Sequence, residues 1–314
     1  MACSPSTLVR PLFAILRRPE HLRHRARELE VVRRQGKLDI YALLSVVVLG
    51  VAVRGPTRIA QLGHVTAQVM GRRFARSSIW ERFTPAFAQL VKSLLDEHVE
   101  PGRARKKRPP GVLSGFTDVF AVDTTVVKVA DELRSTWRGT RRNSAKAALK
   151  VHAWIRAFTG ELVKYRVTPD AYGDSRGFGI DHQLAGALVL LDRGYSSPSL
   201  WNRVSSVGGY VLTRLPKDRN PVITAQLRKH RGRARKVVGH RLQDVLVGLQ
   251  RRFLDVEVSF RCCVRRYNSP KNRWIDQTFR VVVVRNPHTG RHDVYVTTAP
   301  PSLLPAEAIA QTIP

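Results

Sequence analysis

Acidic residues are scarce in this sequence. Only 24 of its 314 residues are Asp or Glu, against 54 Lys or Arg, and the formal charge is +30. Such an excess repels itself unless a polyanion shares it, and nucleic acid is the usual partner. Cysteine is also scarce: Cys3 stands alone and Cys262 and Cys263 are adjacent. That number excludes a disulfide framework, and the spacing excludes a zinc site. Long apolar runs are missing too. The longest stretches from Tyr41 to Val53, short of the ~20 residues that span a bilayer, so it reads as a buried helix and no membrane association is expected. The Arg-rich first thirty residues have no apolar core of the secretory kind, and a cytoplasmic location is expected. No Walker sequence, three-glycine dinucleotide fingerprint or His-Glu-x-x-His occurs, which removes the common nucleotide and zinc-protease classes. At 43% hydrophobic residues the chain still has ample material for a core.

The first hundred residues have helical periodicity. Candidate helices are Asp39–Val53, Thr57–Met70 with Thr57 as N-cap, and Ser77–Val99, in which Ile79, Phe83, Phe87, Leu90 and Leu94 recur at helical spacing. Residues 1–100 thus form a helical domain, either DNA-binding or purely a packing module. His21 and His24, three apart on one helix, belong to a solvated face rather than a metal site. Residues 101–111 read as a basic linker whose Arg103, Arg105, Lys106, Lys107 and Arg108 can lie along a phosphate backbone without reading sequence.

The periodicity then changes to that of strands. Val119–Val129 is apolar on both faces, as in a central strand covered on both sides. Lys150–Phe158 and Glu161–Thr168 flank Thr159-Gly160 as a hairpin. Asp170–Asp181 is Gly-rich and irregular. A buried strand at Ala187–Asp192, a helix at Ser197–Val207 and a strand at Tyr210–Arg214 complete residues 112–215 as an α/β core. Residues 216–300 are basic and β-rich, with strict alternation from Leu254 to Cys262 and a hairpin between Phe279–Arg285 and His292–Thr298. A new helix begins at Pro305-Ala306-Glu307, within residues 301–314. Cys262 has no activating His beside it and reads as a core thiol.

Two acids stand out. Asp123 lies inside an apolar strand and Asp192 ends another. Carboxylates beside buried strands are costly unless paired or metal-bound. If the strands are parallel neighbours, both side chains meet at one spot, and Mg²⁺ would relieve their repulsion. Structural roles, a turn cap or a core ion pair, are open as well.

The segments Phe120-Ala-Val-Asp-Thr-Thr125 and Leu188-Val-Leu-Leu-Asp-Arg-Gly-Tyr195 resemble the first and second acid motifs of DDE transposases of the insertion-sequence-four type. The order of parts is similar as well. The resemblance implies an α/β fold: a ribonuclease H-like mixed sheet with an N-terminal helical domain and a β-rich insertion after the second acid. It also implies that Asp123 and Asp192 are catalytic and hold two Mg²⁺ (or Mn²⁺) ions. Those ions would sit against a scissile phosphate, for strand cleavage and transfer at element ends. The partners implied are double-stranded DNA of the element ends and target, with a dimer assembled on DNA in the bacterial nucleoid. The family's third acid sits in Tyr-x2-Arg-x3-Glu-x6-Lys. That pattern is not found here, and Glu307 stands in the wrong context for it. The resemblance therefore points to a C-terminally truncated transposase of incomplete catalytic machinery, or to a DNA-binding regulator of a full-length relative. Loss of the helix that carries the third acid would leave apolar strand surface exposed.

Overall fold

A computed structural model describes residues 16, 18–32, 37–54, 58–104, 108–140, 146–228, 236–264, 273–286 and 289–312. The chain divides into two compact units, residues 1–105 and 106–314.

The first unit is helical: α1 (Pro19–Glu28), α2 (Ile40–Arg54), α3 (Ile59–Met70), α4 (Arg76–Trp80) and α5 (Pro85–Ala104). Leu22, Ala26, Leu43, Leu44, Ile79 and Leu90 form its centre, none more than 1% exposed. The single helix expected over Ser77–Val99 is broken. Thr84 Oγ1 accepts from the Phe87 N–H at 3.2 Å and Pro85 takes the first helical position, a start signal that outweighs the continuing apolar period. The expected linker starts late, because α5 continues through Pro101 to Ala104. The apolar stripe Phe87, Leu90, Leu94 and Val99 is buried, and the one hydrogen bond a proline removes does not end so well-anchored a helix. Thr57, expected as an N-cap, lies outside the described residues; Arg58 occupies that position before α3. His21 and His24 meet Glu97 and Glu28 on a half-exposed surface. No helix among the described residues is long and apolar enough to cross a membrane.

The second unit is mixed α/β. Nine strands form one sheet in the order β3-β2-β1-β4-β5-β9-β8-β7-β6. The strands are β1 (Val119–Lys128), β2 (Ala148–Arg156), β3 (Leu162–Pro169), β4 (Leu188–Leu191), β5 (Tyr210–Arg214), β6 (Val222–Gln226), β7 (Phe253–Val264), β8 (Arg273–Arg285) and β9 (His292–Thr297). β1 to β3 pair antiparallel, and β1, β4 and β5 are parallel. That is the 3-2-1-4-5 order of a ribonuclease H-like core. The β-rich block does not form a separate layer. β9 pairs antiparallel with β5, and β8, β7 and β6 follow outward. β6 escapes the sequence reading because Val222–Gln226 is short and only partly apolar.

Helices α6 (Asp174–Gly177), α7 (Pro198–Ser206), α8 (Leu242–Val247) and α9 (Ala306–Thr312) complete the unit. On one sheet face α7 buries Leu200, Trp201 and Val204. The Trp201 ring meets Phe279 at 5.1 Å and Phe260 at 5.8 Å, so the core is continuous from the parallel strands into the β-rich block. On the other face Leu304, Ala306, Ala308 and Ile309 cover Val119, Leu188, Leu212 and Val282, each of these strand residues fully buried. This corrects the expectation of bare apolar strand surface there: the short α9 already covers it. Within β1, apolar exposure lies on the outer half, where Val126 and Val127 are 37% and 36% exposed. Val119–Val129 is therefore covered on both sides only at its start: its buried positions end at Val122, where the pairing with β4 also stops.

Candidate active site at the carboxyl edge of the parallel strands

The last parallel register pair between β1 and β4 is Val122 with Leu191. Asp123 and Asp192 come next on the two strands, so they stand side by side where adjacent strands lie about 4.8 Å apart. Strand alternation puts both on the face of Val119 and Leu188, the face α9 covers. Both are exposed. β1 runs on through Asp123, held by antiparallel pairing with Ala153. The chain stays extended at Asp192 (φ −71°, ψ 165°) and then turns into a short 3₁₀ segment. This edge, at the carboxyl ends of parallel strands, is where α/β sheets gather functional groups.

Asp123 Oδ1 accepts from the Thr124 N–H at 2.7 Å, and the Asp192 carboxylate makes no capping bond. Their free oxygens form an acceptor-only set that suits a hard dication retaining several waters. Among the described residues no group of three potential ligand side chains is assembled. Glu307, on α9, meets Arg228 at 2.6 Å, and its own backbone N–H first, then that contact, keeps its carboxylate below the usual range.

A polar network supports the pair from the opposite face. β2 points Lys150, His152 and Arg156 inward with Trp154, and all are buried. The Lys150 ammonium reaches Asp174 at 2.7 Å and Asp170 at 3.6 Å. His152 bonds Tyr195 Oη at 3.2 Å and Thr168 Oγ1 at 3.0 Å. Burial lowers the imidazole below its ordinary value, so it is neutral at pH 7. Burial first, then the carboxylates of Asp174, Asp123 and Asp192, push the Tyr195 hydroxyl far up. Tyr195 thus stays protonated within electrostatic reach of both strand-end acids. Lys150, His152 and Asp174 were missed from sequence. The available signal was a Lys, a His and an Arg at alternate positions of a strand whose other residues are apolar.

Residues 114–314 match the family described as the transposase DDE domain. The chain belongs to this family. DDE transposase domains generally use divalent metal ions. No curated protein matches the sequence. Among solved structures the chain is similar to a chain of a piggyBac transposase synaptic complex with hairpin DNA, at 10% identity and a TM-score of 0.42. The likeness covers 92% of this chain and 61% of that one, so the chain spans about three fifths of its length.

Of the residues expected along the basic linker, Arg105, Lys106 and Lys107 lie outside the described residues. Arg103 falls in α5, and Arg108 is exposed before β1. Cys262 is buried, donates its thiol to the Phe260 carbonyl at 3.3 Å, and is pushed up by burial. It is a core group.

Proposed function

We propose that the chain is a transposase-type protein of the insertion-sequence-four kind that binds double-stranded DNA and carries two carboxylates for phosphodiester cleavage and strand transfer. The observation that carries this reading is the placement of Asp123 and Asp192 immediately beyond the Val122–Leu191 register pair. Asp123 and Asp192 would hold Mg²⁺ or Mn²⁺ through their unbonded oxygens. Such an ion supplies charge neutralisation at a phosphodiester undergoing in-line displacement. The residues themselves would fix where that happens: β1 carries Asp123, the residue just past β4 is Asp192, and Tyr195 stays protonated within electrostatic reach of both. Arg193 adds a cation one residue from Asp192. The Glu-centred pattern of the family does not occur within the 314 residues, so no third carboxylate is assigned to the metal. DNA engagement is expected to involve the +30 charge, the basic stretch around Arg103 to Arg108, and a dimer on DNA.

Site-directed oxidative cleavage tests the reading without needing turnover. Fe²⁺ substituted for Mg²⁺, with ascorbate and peroxide, should cut the backbone near residues 123 and 192. Asp123→Asn and Asp192→Asn should each abolish the cuts. Cuts that persist in both variants would overturn the metal assignment.

A further inference from the structure

Arg193, the residue after Asp192, begins the lining of a cavity of about 350 Å³ that neither acid lines. Its cationic lining comes from two strand ends: Arg193 follows Asp192, Arg214 ends β5, and Lys217 and Arg219 occupy the turn after β5, while His292 lines it at the start of β9. Asp293 is the one carboxylate among the lining residues. We propose that this pocket holds backbone phosphate of a nucleic-acid strand, next to the phosphodiester that faces Asp123 and Asp192.

The pocket is built, and its cations are presented on a fixed frame. The side-chain amide of Gln243, on α8, donates to the carbonyls of Lys217 and Arg219 at 2.6 and 3.5 Å. The Gln243 N–H bonds Asn220 Oδ1 at 2.9 Å, and Arg241 donates to the Asn220 carbonyl at 3.2 Å. The turn's backbone is thereby tied down while the Lys217 and Arg219 side chains are exposed. The Arg214 guanidinium lies over the Tyr295 ring, 5.7 Å from its centre. A guanidinium so held loses less freedom on meeting a phosphate, whose oxygens match its fork of donors. Four Lys or Arg side chains against one carboxylate select an anion. The chain has no glycine-rich phosphate loop of the kind that wraps a free nucleotide. The cavity also begins one residue from Asp192, which favours a strand passing through over a terminal phosphate enclosed by itself.

The direction of that strand rests on the proposed roles of Asp123 and Asp192, but its binding needs no metal, so the two readings can fail separately. The test uses the full chain, an arbitrary 20-base-pair duplex, EDTA, and fluorescence anisotropy over a salt series. Each lost phosphate contact flattens the log–log salt dependence by about 0.9. Lys217→Gln with Arg219→Gln should flatten it by about 1.8, which makes the wild type's advantage about tenfold larger at 50 mM than at 200 mM salt. Lys217→Arg with Arg219→Lys should restore the slope. Arg166→Gln with Arg261→Gln, two exposed arginines on β3 and β7, should leave it unchanged. Asp123→Asn with Asp192→Asn should also retain the slope, whatever it does to oxidative cleavage. An unchanged slope in the Lys217/Arg219 glutamine variant, or equal flattening in both glutamine pairs, would overturn the proposal. So would saturable binding of AMP that the variant loses while its duplex binding is intact, since that identifies a free-nucleotide site.

Discussion

The carboxylate of Asp174 is packed against the backbone of Gly194, two residues beyond Asp192: a Cβ on Gly194 would stand 2.9 Å from Asp174 Oδ2. That carboxylate is also held by Lys150 at 2.7 Å, so it cannot swing away without breaking a part-buried ion pair. Gly194→Ala must therefore shift either Asp174 or the turn that carries Asp192. The expected cost is about 1–3 kcal/mol of stability, with weaker Fe²⁺-directed cleavage near residue 192. Thermal unfolding and the cleavage pattern measure the two effects. In an Asp174→Ala background the same substitution should cost less, because the obstructing oxygen is gone. Additive losses would show that the contact does not position the turn.

Gly177 has a harder neighbour. A Cβ there would come within 2.2 Å of the His152 ring, which is fully buried and fixed by Tyr195 and Thr168. The ring is bonded at both nitrogens and has no room to give. Gly177→Ala is expected to destabilise the second unit more than Gly194→Ala does. Chemical denaturation of the two variants side by side gives the order, and a Gly177→Ala protein as stable as wild type would refute the account.

His152 also sets a pH dependence. Burial is the main cause of its lowered value; Lys150 and Arg166 act in the same direction, and Asp174 opposes them. The folded imidazole therefore binds a proton less readily than the unfolded one, which titrates near the ordinary 6.5. Where the unfolded chain binds more protons, stability rises with pH. The contribution from His152 is present above pH 6.5 and declines as pH falls below it. His152→Gln should flatten the unfolding free energy over that acidic range relative to wild type. An identical pH profile for the two proteins would exclude His152 as the source.

How much of this was legible in sequence depended on whether local pattern carried the information. Asp123 and Asp192 could be found because each interrupts or ends an apolar strand, and the strands β1, β4 and β5 lie within a residue or two of the expected segments. That the two acids are register neighbours was not legible, because pairing is a long-range property. Lys150, His152 and Asp174 were missed for a related reason. A buried Lys reads as an exposed one until its partners Asp170 and Asp174 are known, and those lie in an irregular stretch with no period. The break before Pro85 was written in Thr84-Pro85, but the apolar spacing across it was given more weight. The joining of the β-rich block to the core sheet through β5 and β9 had no local signature at all.

A buried ion pair links β7 and β8 within that sheet. Arg280, 6% exposed on β8, donates from Nε and Nη2 to Asp255 on β7 at 2.8 and 2.6 Å. Its Nη1 donates to the carbonyls of Ala299 and Leu304 at 3.1 and 2.7 Å, fixing the segment that leads into α9. Arg280→Met would leave the Asp255 carboxylate, 3% exposed, without its counter-ion and two carbonyls without donors. Removing one partner of such a pair costs about 3–5 kcal/mol, readable as a lower urea midpoint. Adding Asp255→Asn removes the stranded charge but not the orphaned carbonyls, so recovery should be partial. Hydrogen exchange separates the two contributions. In the double variant the amides of β7 and β8 should regain protection, while those of residues 304–309 should still exchange faster than in wild type. Full protection of residues 304–309 in the double variant would mean that α9 is held by its apolar contacts with Val119, Leu188 and Leu212 alone.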